Sequence, residues 1–212
     1  HLAEEYKQAL VKEWEGTRWG RQELGGEFIE VEGLAFPELS ERVHFRYPPQ
    51  DAEFTRTVVG LDMGGTSPTA LIEWKLDRSR RLWATGEFYK RDATDYDWVE
   101  WCAARDVKKV VCDPTASDGQ IRDWRRLYGL YVVRGNPAIK RFDGRLKAWS
   151  NRIAVKGDGL PGLFVTPACP NLWEELQNLA FHKPRNQEFS VDEWGPGTSD
   201  HAYDETVRGD FM

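Results

Sequence analysis

Residues 57–90 read Thr57-Val58-Val59-Gly60-Leu61-Asp62-Met63-Gly64-Gly65-Thr66-Ser67-Pro68-Thr69-Ala70-Leu71-Ile72-Glu73-Trp74-Lys75-Leu76-Asp77-Arg78-Ser79-Arg80-Arg81-Leu82-Trp83-Ala84-Thr85-Gly86-Glu87-Phe88-Tyr89-Lys90. Apolar and β-branched residues fill 57–62, 69–76 and 81–89, while glycines and charged residues separate the three runs. The stretch predicts three strands. The polar turn Asp77-Arg78-Ser79-Arg80 joins the second to the third, so the three form an antiparallel meander.

Downstream the periodicity changes. Thr94, with Asp97 three residues on, predicts a helix carrying Trp98, Val99, Cys102 and Ala103. A valine-rich strand spans 107–112 and ends at Asp113-Pro114. Ser117 and Gln120 form a second capping pair, for a helix whose buried face is Ile121, Trp124 and Tyr128. Leu130–Val133 reads as another strand. Helices are expected at about 141–156 and 170–180, then a Pro/Gly-rich loop over 184–198, then a last helix from Ser199. Strand–helix–strand crossovers make the later strands parallel. The expected fold is α/β: a ribonuclease H-like mixed sheet, three antiparallel strands followed by parallel ones, with helices on both faces.

Upstream, Leu2, Tyr6, Leu10 and Trp14 recur at four-residue spacing and predict a helix over 2–14. A glycine-containing stretch follows, and 27–56 carries Pro37, Pro48 and Pro49 among scattered apolar residues. Residues 1–56 therefore read as an arm with short strands, and 57–212 as one domain. A chain that opens with His1 instead of Met reads as a piece of a longer protein.

The 212 residues suffice for a core that needs no disulfide or metal staple. No apolar run approaches the ~20 residues a bilayer helix requires, so no membrane association is expected. Lys and Arg number 29 against 35 Asp and Glu, a net charge of -6, which excludes a uniformly basic nucleic-acid coat but allows a local basic face. Cys102, Cys112 and Cys169 contain no CxxC pair, which argues against a disulfide framework and against cysteine-ligated zinc. His1-Leu2-Ala3-Glu4-Glu5 is no secretory signal, so the cytoplasm is the default compartment.

The chemistry lies in the acids. Asp62 ends the first strand and Asp113 the fourth. If those strands are parallel neighbours, ~4.8 Å apart, both carboxylates reach the carboxyl edge of the sheet, where open α/β sheets bind ligands. Two such charges at ~4 Å repel by roughly 4 kcal/mol at an effective dielectric near 20, and a shared proton or a bridging cation relieves this. Carboxylate oxygens without thiols select hard ions, Mg²⁺ or Mn²⁺. The bland alternative is a turn former, and Asp113 in Asp-Pro-Thr-Ala-Ser fits it. Gly64-Gly65 after Asp62 is expected to let a ligand approach the backbone. The final helix opens Ser199-Asp200-His201-Ala202-Tyr203-Asp204. Asp200 and Asp204 share a face at i,i+4, and His201 lies close to it. There the bland reading is dipole compensation by Asp200 and pairing of Asp204 with Arg208. Together, Asp62, Asp113 and a third acid from 200–204 would hold two ions ~3.5–4 Å apart, a set suited to in-line phosphodiester hydrolysis.

At this point the chain resembles the nuclease domain of the large terminase subunit of tailed bacteriophages, in the resolvase–integrase superfamily. Asp200-His201-Ala202-Tyr203-Asp204 is similar to that family's Asp-His-x-x-Asp ending. Gly16-Thr17-Arg18-Trp19-Gly20-Arg21-Gln22-Glu23-Leu24-Gly25-Gly26-Glu27 looks like its connector between ATPase and nuclease domains. Glu32-Gly33-Leu34-Ala35-Phe36-Pro37 looks like the start of the nuclease. The resemblance implies a metal-dependent endonuclease that cuts double-stranded viral DNA concatemers during packaging, in the host cytoplasm. It implies Asp62, Asp113 and Asp204 as catalytic metal ligands, with Asp200 and His201 also in the metal set. It further implies an ATPase domain ahead of residue 1, which makes 1–56 the connector arm, and a small terminase subunit and a portal protein as partners. The chain itself has no Gly-x-x-x-x-Gly-Lys-Ser/Thr phosphate loop. The family's usual small residue and basic–aromatic pair after the last aspartate is absent, since Glu205-Thr206-Val207-Arg208-Gly209 stands there. Asp204 is the foremost third ligand, and Asp200 and His201 stay open.

Residues 140–156 hold Lys140, Arg141, Arg145, Lys147, Arg152 and Lys156 against the single acid Asp143. On a helix, Arg141, Arg145, Arg152 and Lys156 form one stripe beside the apolar Phe142, Leu146, Trp149 and Ile153, and phosphate contacts suit such a face. Arg122-Asp123-Trp124-Arg125-Arg126 is a second basic candidate. No base-reading module is visible, so little sequence preference is expected. Three rivals remain. Asp62-Met63-Gly64-Gly65-Thr66 also resembles the phosphate loop of sugar kinases and actin-like ATPases, which need a second lobe. A DNA-docking module with structural carboxylates is another, and a Holliday-junction resolvase the third.

Overall fold

The computed structural model describes residues 33–64, 67–135, 142–182 and 190–194, with no side-chain account of 142–145, 182 and 190–194. A one-turn helix, α1 (Glu41–His44), precedes the meander β1 (Phe54–Asp62), β2 (Thr69–Asp77) and β3 (Leu82–Lys90). Then follow α2 (Asp95–Ala103), β4 (Lys109–Cys112), α3 (Asp118–Tyr128), β5 (Tyr131–Arg134) and α4 (Phe142–Ile153). The described part closes with β6 (Leu163–Val165), α5 (Pro170–Asn178), β7 (Phe181–His182) and β8 (Ser190–Trp194).

Six strands form one sheet in the order β5-β4-β1-β2-β3-β6. β1 pairs antiparallel with β2, and β2 with β3. β4 runs parallel to both β1 and β5, and β6 parallel to β3. Each face of the sheet buries its own cluster. Val58, Ile72, Trp74, Leu82 and Ala84 pack beneath Trp149 and Ile153 of α4 and Leu172 and Leu176 of α5. On the other face Val59, Leu61, Leu71, Val110 and Cys112 pack against Trp98 and Cys102 of α2 and Ile121 and Trp124 of α3. Each buried Val, Leu or Ile here contributes roughly 1.5–3 kcal/mol by burial, and successive residues of β1 alternate between the two clusters, as a strand covered on both faces requires.

The local signals act as expected at both helix starts, with one difference. Thr94 accepts from the Asp97 N–H, and the Asp97 carboxylate accepts from the Thr94 N–H at 2.8 Å, a complete capping box. Lys90 also donates to Asp97, and these bonds hold its pKa down to about 2. At α3 only the serine half forms, Ser117 Oγ accepting from the Gln120 N–H at 3.1 Å. Gly129 ends α3 at φ 67, the left-handed position that favours glycine.

Several expectations change. α4 stops at Ile153 because Gly162 N–H takes the Arg152 carbonyl and Lys156 N–H turns to Leu160. The short strand β6 was not anticipated, and β8 occupies part of the span expected to be loop. The arm does more than connect. Ala35, Phe36 and Leu39 lie in the core cluster beneath α4, and His44 Nε2 lies 2.8 Å from the Ile153 carbonyl at the end of that helix. Phe45 forms a parallel bridge to Val165, and Ala35 N–H donates to the Leu179 carbonyl. The expected helix at 2–14 and the final helix from Ser199 lie outside the described residues. Among the described residues no helix is long and apolar enough to cross a membrane.

Candidate active site

Parallel register sets the geometry of the first two acids. Val59 pairs with Val110, Gly60 with Val111 and Leu61 with Cys112. One residue further along each strand stand Asp62 and Asp113, side by side at the carboxyl edge, on strands ~4.8 Å apart. Leu61 and Cys112 belong to the cluster under α2 and α3, and Val58 and Val111 to the one under α4 and α5. Alternation carried one step on therefore assigns Asp62 and Asp113 to the same face of the sheet, that of α4 and α5. Both are half-buried.

Asp113 also does what the bland reading asked of it. Its Oδ1 accepts from the backbone N–H and the hydroxyl of Thr115, and its carbonyl from the Ala116 N–H at 3.1 Å. This Asx-type turn fixes the direction of the carboxylate and launches α3. The two roles are compatible, since a carboxylate has about four lone-pair sites.

Gly64 has a different reason from the one expected. A Cβ there would stand 2.0 Å from the Ser67 carbonyl oxygen and 2.4 Å from the Pro68 carbonyl carbon. Glycine at this position is a requirement of the turn into β2, whose backbone crosses directly over it. The Gly64 N–H donates to Thr69 Oγ1 at 3.3 Å.

Register also brings in residues that the sequence pattern did not single out. Asp62 pairs with Ala70 and Ala70 with Tyr89, so Tyr89 shares the level of Asp62, two strands away. Its hydroxyl donates to Glu175 Oε1 of α5 at 3.0 Å. Two pairs further in, Glu87 accepts from the Asn171 N–H at 3.0 Å, the Asn171 side chain at 2.9 Å and the Leu172 N–H at 2.7 Å. A strand carboxylate thus caps the first turn of α5. Burial pushes the Glu87 carboxyl above its ordinary pKa, against the three N–H donors that pull it down.

Among the described residues no group of three or more His, Cys, Asp or Glu is placed to hold a metal. Asp62 and Asp113 are two hard oxygen donors on adjacent strands, a donor set that fits Mg²⁺ or Mn²⁺ and needs further ligands to complete it. The expected further ligands, Asp200, His201 and Asp204, lie outside the described residues.

The basic stripe divides by position. Lys140 and Arg141 lie outside the described residues, as does the side chain of Arg145. Lys147 is exposed on the first half of α4. Arg152 is half-buried and donates to the Arg80 carbonyl at 2.9 Å, in the turn between β2 and β3. Burial, with Arg80 nearby, lowers its pKa. That turn is at the opposite end of the sheet from Asp62, so Arg152 and Lys156 stand on the far side of the domain from the two acids.

No protein-family model and no curated protein sequence matches the chain. Solved structures do. The large-terminase nuclease domain of bacteriophage SPP1 with bound Mn aligns over 78% of this chain and 94% of its own, at 16% identity and a TM-score of 0.57. The nuclease domain of the P22 large terminase aligns over 85% of this chain and 92% of its own, at 16% identity and a TM-score of 0.60. The large terminase of a thermophilic bacteriophage in complex with ATP-gamma-S aligns over 98% of this chain, at 16% identity and a TM-score of 0.63. This chain spans about half (52%) of the length of that larger protein. The protein therefore has the ribonuclease H-like fold of phage large-terminase nuclease domains.

Proposed function

We propose that this chain is the nuclease domain of a phage large terminase, a metal-dependent endonuclease that cuts double-stranded viral DNA concatemers during genome packaging, with little sequence preference. One observation carries the reading: Asp62 and Asp113 stand level with each other at the carboxyl edge of a parallel strand pair, in a sheet of terminase-nuclease topology. Two carboxylates so close repel, and a divalent cation held by them would offset that repulsion.

Asp62 and Asp113 would hold Mg²⁺ or Mn²⁺, two ions in all, together with Asp204, Asp200 and His201 from the last segment. Held there, such ions would supply activation of a water and charge stabilisation for the leaving 3′ oxygen. The chain's own work is placement. The Asp113 turn orients one carboxylate, the β1 register aligns the other, and the Glu87 and Tyr89 bonds seat α5 against the face they share. Duplex DNA would reach the edge past the first half of α4, through Lys140, Arg141, Arg145 and Lys147, with Arg152 and Lys156 farther off. The remaining partners of this reading are an ATPase domain of the same protein ahead of residue 1, a small terminase subunit and a portal protein, all in the host cytoplasm.

The test is plasmid cleavage with Mg²⁺, Mn²⁺ or no divalent ion, for wild type, Asp62→Asn and Asp113→Asn. Nicking that requires the ion and disappears in both variants is the expected result. Undiminished nicking in either variant would remove the proposal. ATP binding without any metal-dependent cutting would favour the actin-like reading instead.

A further inference from the structure

Asp113 is followed immediately by the turn that starts α3, so the first turn of this helix stands at the same sheet edge as the two acids. Residues 105–135 hold seven basic residues against four acids, one of them Asp113, within a chain whose net charge is -6. These basic residues are not equivalent. Arg125 spends its guanidinium on the Val132 carbonyl, at 2.8 and 2.5 Å. Arg134, last in β5, bonds the Ala116 carbonyl at 2.8 Å and pairs with Asp118 at 2.7 Å. That pairing ties the first residue of α3 to the end of β5 and braces the turn after Asp113.

Arg122 is exposed and forms no hydrogen bond or ion pair among the described residues. Its Nη2 would lie 3.8 Å from a Cβ placed on Gly119, three residues back, so the guanidinium folds toward the start of α3 and hence toward the sheet edge. Arg126, one turn on along the same helical face, is 72% exposed, with a single loose partner, Asp123 at 3.4 Å. On α3, Arg122 and Arg126 thus present their guanidinium groups to solvent, while Arg125 is tied to a carbonyl.

We infer that the exposed face of α3, through Arg122 and Arg126, binds the phosphodiester backbone of duplex DNA flanking the cleaved phosphate, on the face of the sheet opposite α4. This rests on the nuclease reading and adds a second contact surface to it, so that the duplex lies across the edge between two helices. α4 approaches from one face and α3 from the other, and each neutralised phosphate releases condensed counterions.

The experiment measures duplex affinity against salt in an Asp62→Asn background with Mg²⁺, where the DNA stays intact. Arg122→Ala with Arg126→Ala should weaken binding several-fold and lower the slope of log K against log salt by about 2. Arg122→Lys with Arg126→Lys should keep the slope, because the charge is retained. An unchanged slope in the alanine pair overturns the inference, as does a lysine pair that loses as much as the alanine pair. If Lys147→Ala lowers the slope and the alanine pair does not, the duplex touches only α4, which also overturns it. The salt slope needs no cleavage, so its failure is distinct from failure of wild-type plasmid cutting, which would remove the nuclease reading itself.

Discussion

Asp113 carries two jobs in one side chain, and substitutions separate them. Asparagine keeps an oxygen for the Thr115 N–H and hydroxyl but removes the charge. Alanine removes both. Asp113→Asn should therefore fold with at least wild-type stability when no metal is present, because it relieves repulsion from Asp62, yet should fail to cut plasmid. Asp113→Ala should fail equally and also melt lower, through loss of the turn. Equal melting temperatures for the two variants would show that the turn contributes nothing. Asp95 offers a test at the same scale. Its two oxygens accept from Trp98 Nε1 at 3.2 Å and Trp124 Nε1 at 2.8 Å, and both indoles are fully buried in a T-shaped pair. Asp95→Ala strands two buried donors at about 1–3 kcal/mol each, so roughly 2–6 kcal/mol of stability should go. Denaturant titration reads it, and a loss below 1 kcal/mol would contradict the assignment.

At the scale of elements, α5 is held by the strand beneath it, and this depends on an irregularity. Gly86 pairs with Glu73 but Ala84 with Trp74, so Thr85 is an extra residue in β3. The bulge shifts the phase of the strand: Leu82 and Ala84 face α4 before it, and Glu87 and Tyr89 turn to that face after it. Burial raises the Glu87 pKa above its unfolded value, so the native state holds this proton more tightly. The stability linked to it is complete below the ordinary glutamate range and is lost as pH rises through the folded pKa. Glu87→Gln has no such proton. Wild type should therefore lose melting temperature relative to Glu87→Gln between acid pH and neutrality, and a pH-independent difference would show that the carboxyl is not perturbed. This is also where sequence reading reached its limit. The meander, the Thr94 capping box and the Asp62 and Asp113 strand ends were legible because each is written within a few residues. The bulge was not, since alternation read straight through 81–89 predicts Gly86 and Phe88 on the face that Glu87 and Tyr89 occupy. β8 was hidden for another reason, because Ser190-Val191-Asp192-Glu193-Trp194 has too few apolar residues to announce a strand and depends on pairing with Phe181. The basic stripe was legible as a helix face, but its span was not, because the distal position of Arg152 follows from a bond to Arg80, 72 residues away.

Across the whole molecule, the proposal makes metal binding a term in folding stability. The chain carries six net negative charges, and the register of β1 and β4 sets two carboxylates side by side. An ion that binds this site binds only the folded chain, because nothing holds Asp62 beside Asp113 once the strands part. At a hundredfold excess over Kd such an ion stabilises by about 2.7 kcal/mol, and for a domain of this size each kcal/mol moves the melting temperature by roughly 2–4 °C. Saturating Mg²⁺ or Mn²⁺ should then raise the wild-type melting temperature by roughly 5–10 °C. NaCl at matched ionic strength should give much less, since screening acts on all surface charges and weakly on a half-buried pair. Asp62→Asn and Asp113→Asn should start at or above the metal-free wild type and gain little from the ion. The two halves of that result support each other: relief of repulsion without metal and loss of the gain with metal have one cause, the proximity of two charges. A divalent-ion gain that persists undiminished in both variants would place the ion elsewhere on the acidic surface, and the level pair of carboxylates would then be a feature of the turn alone.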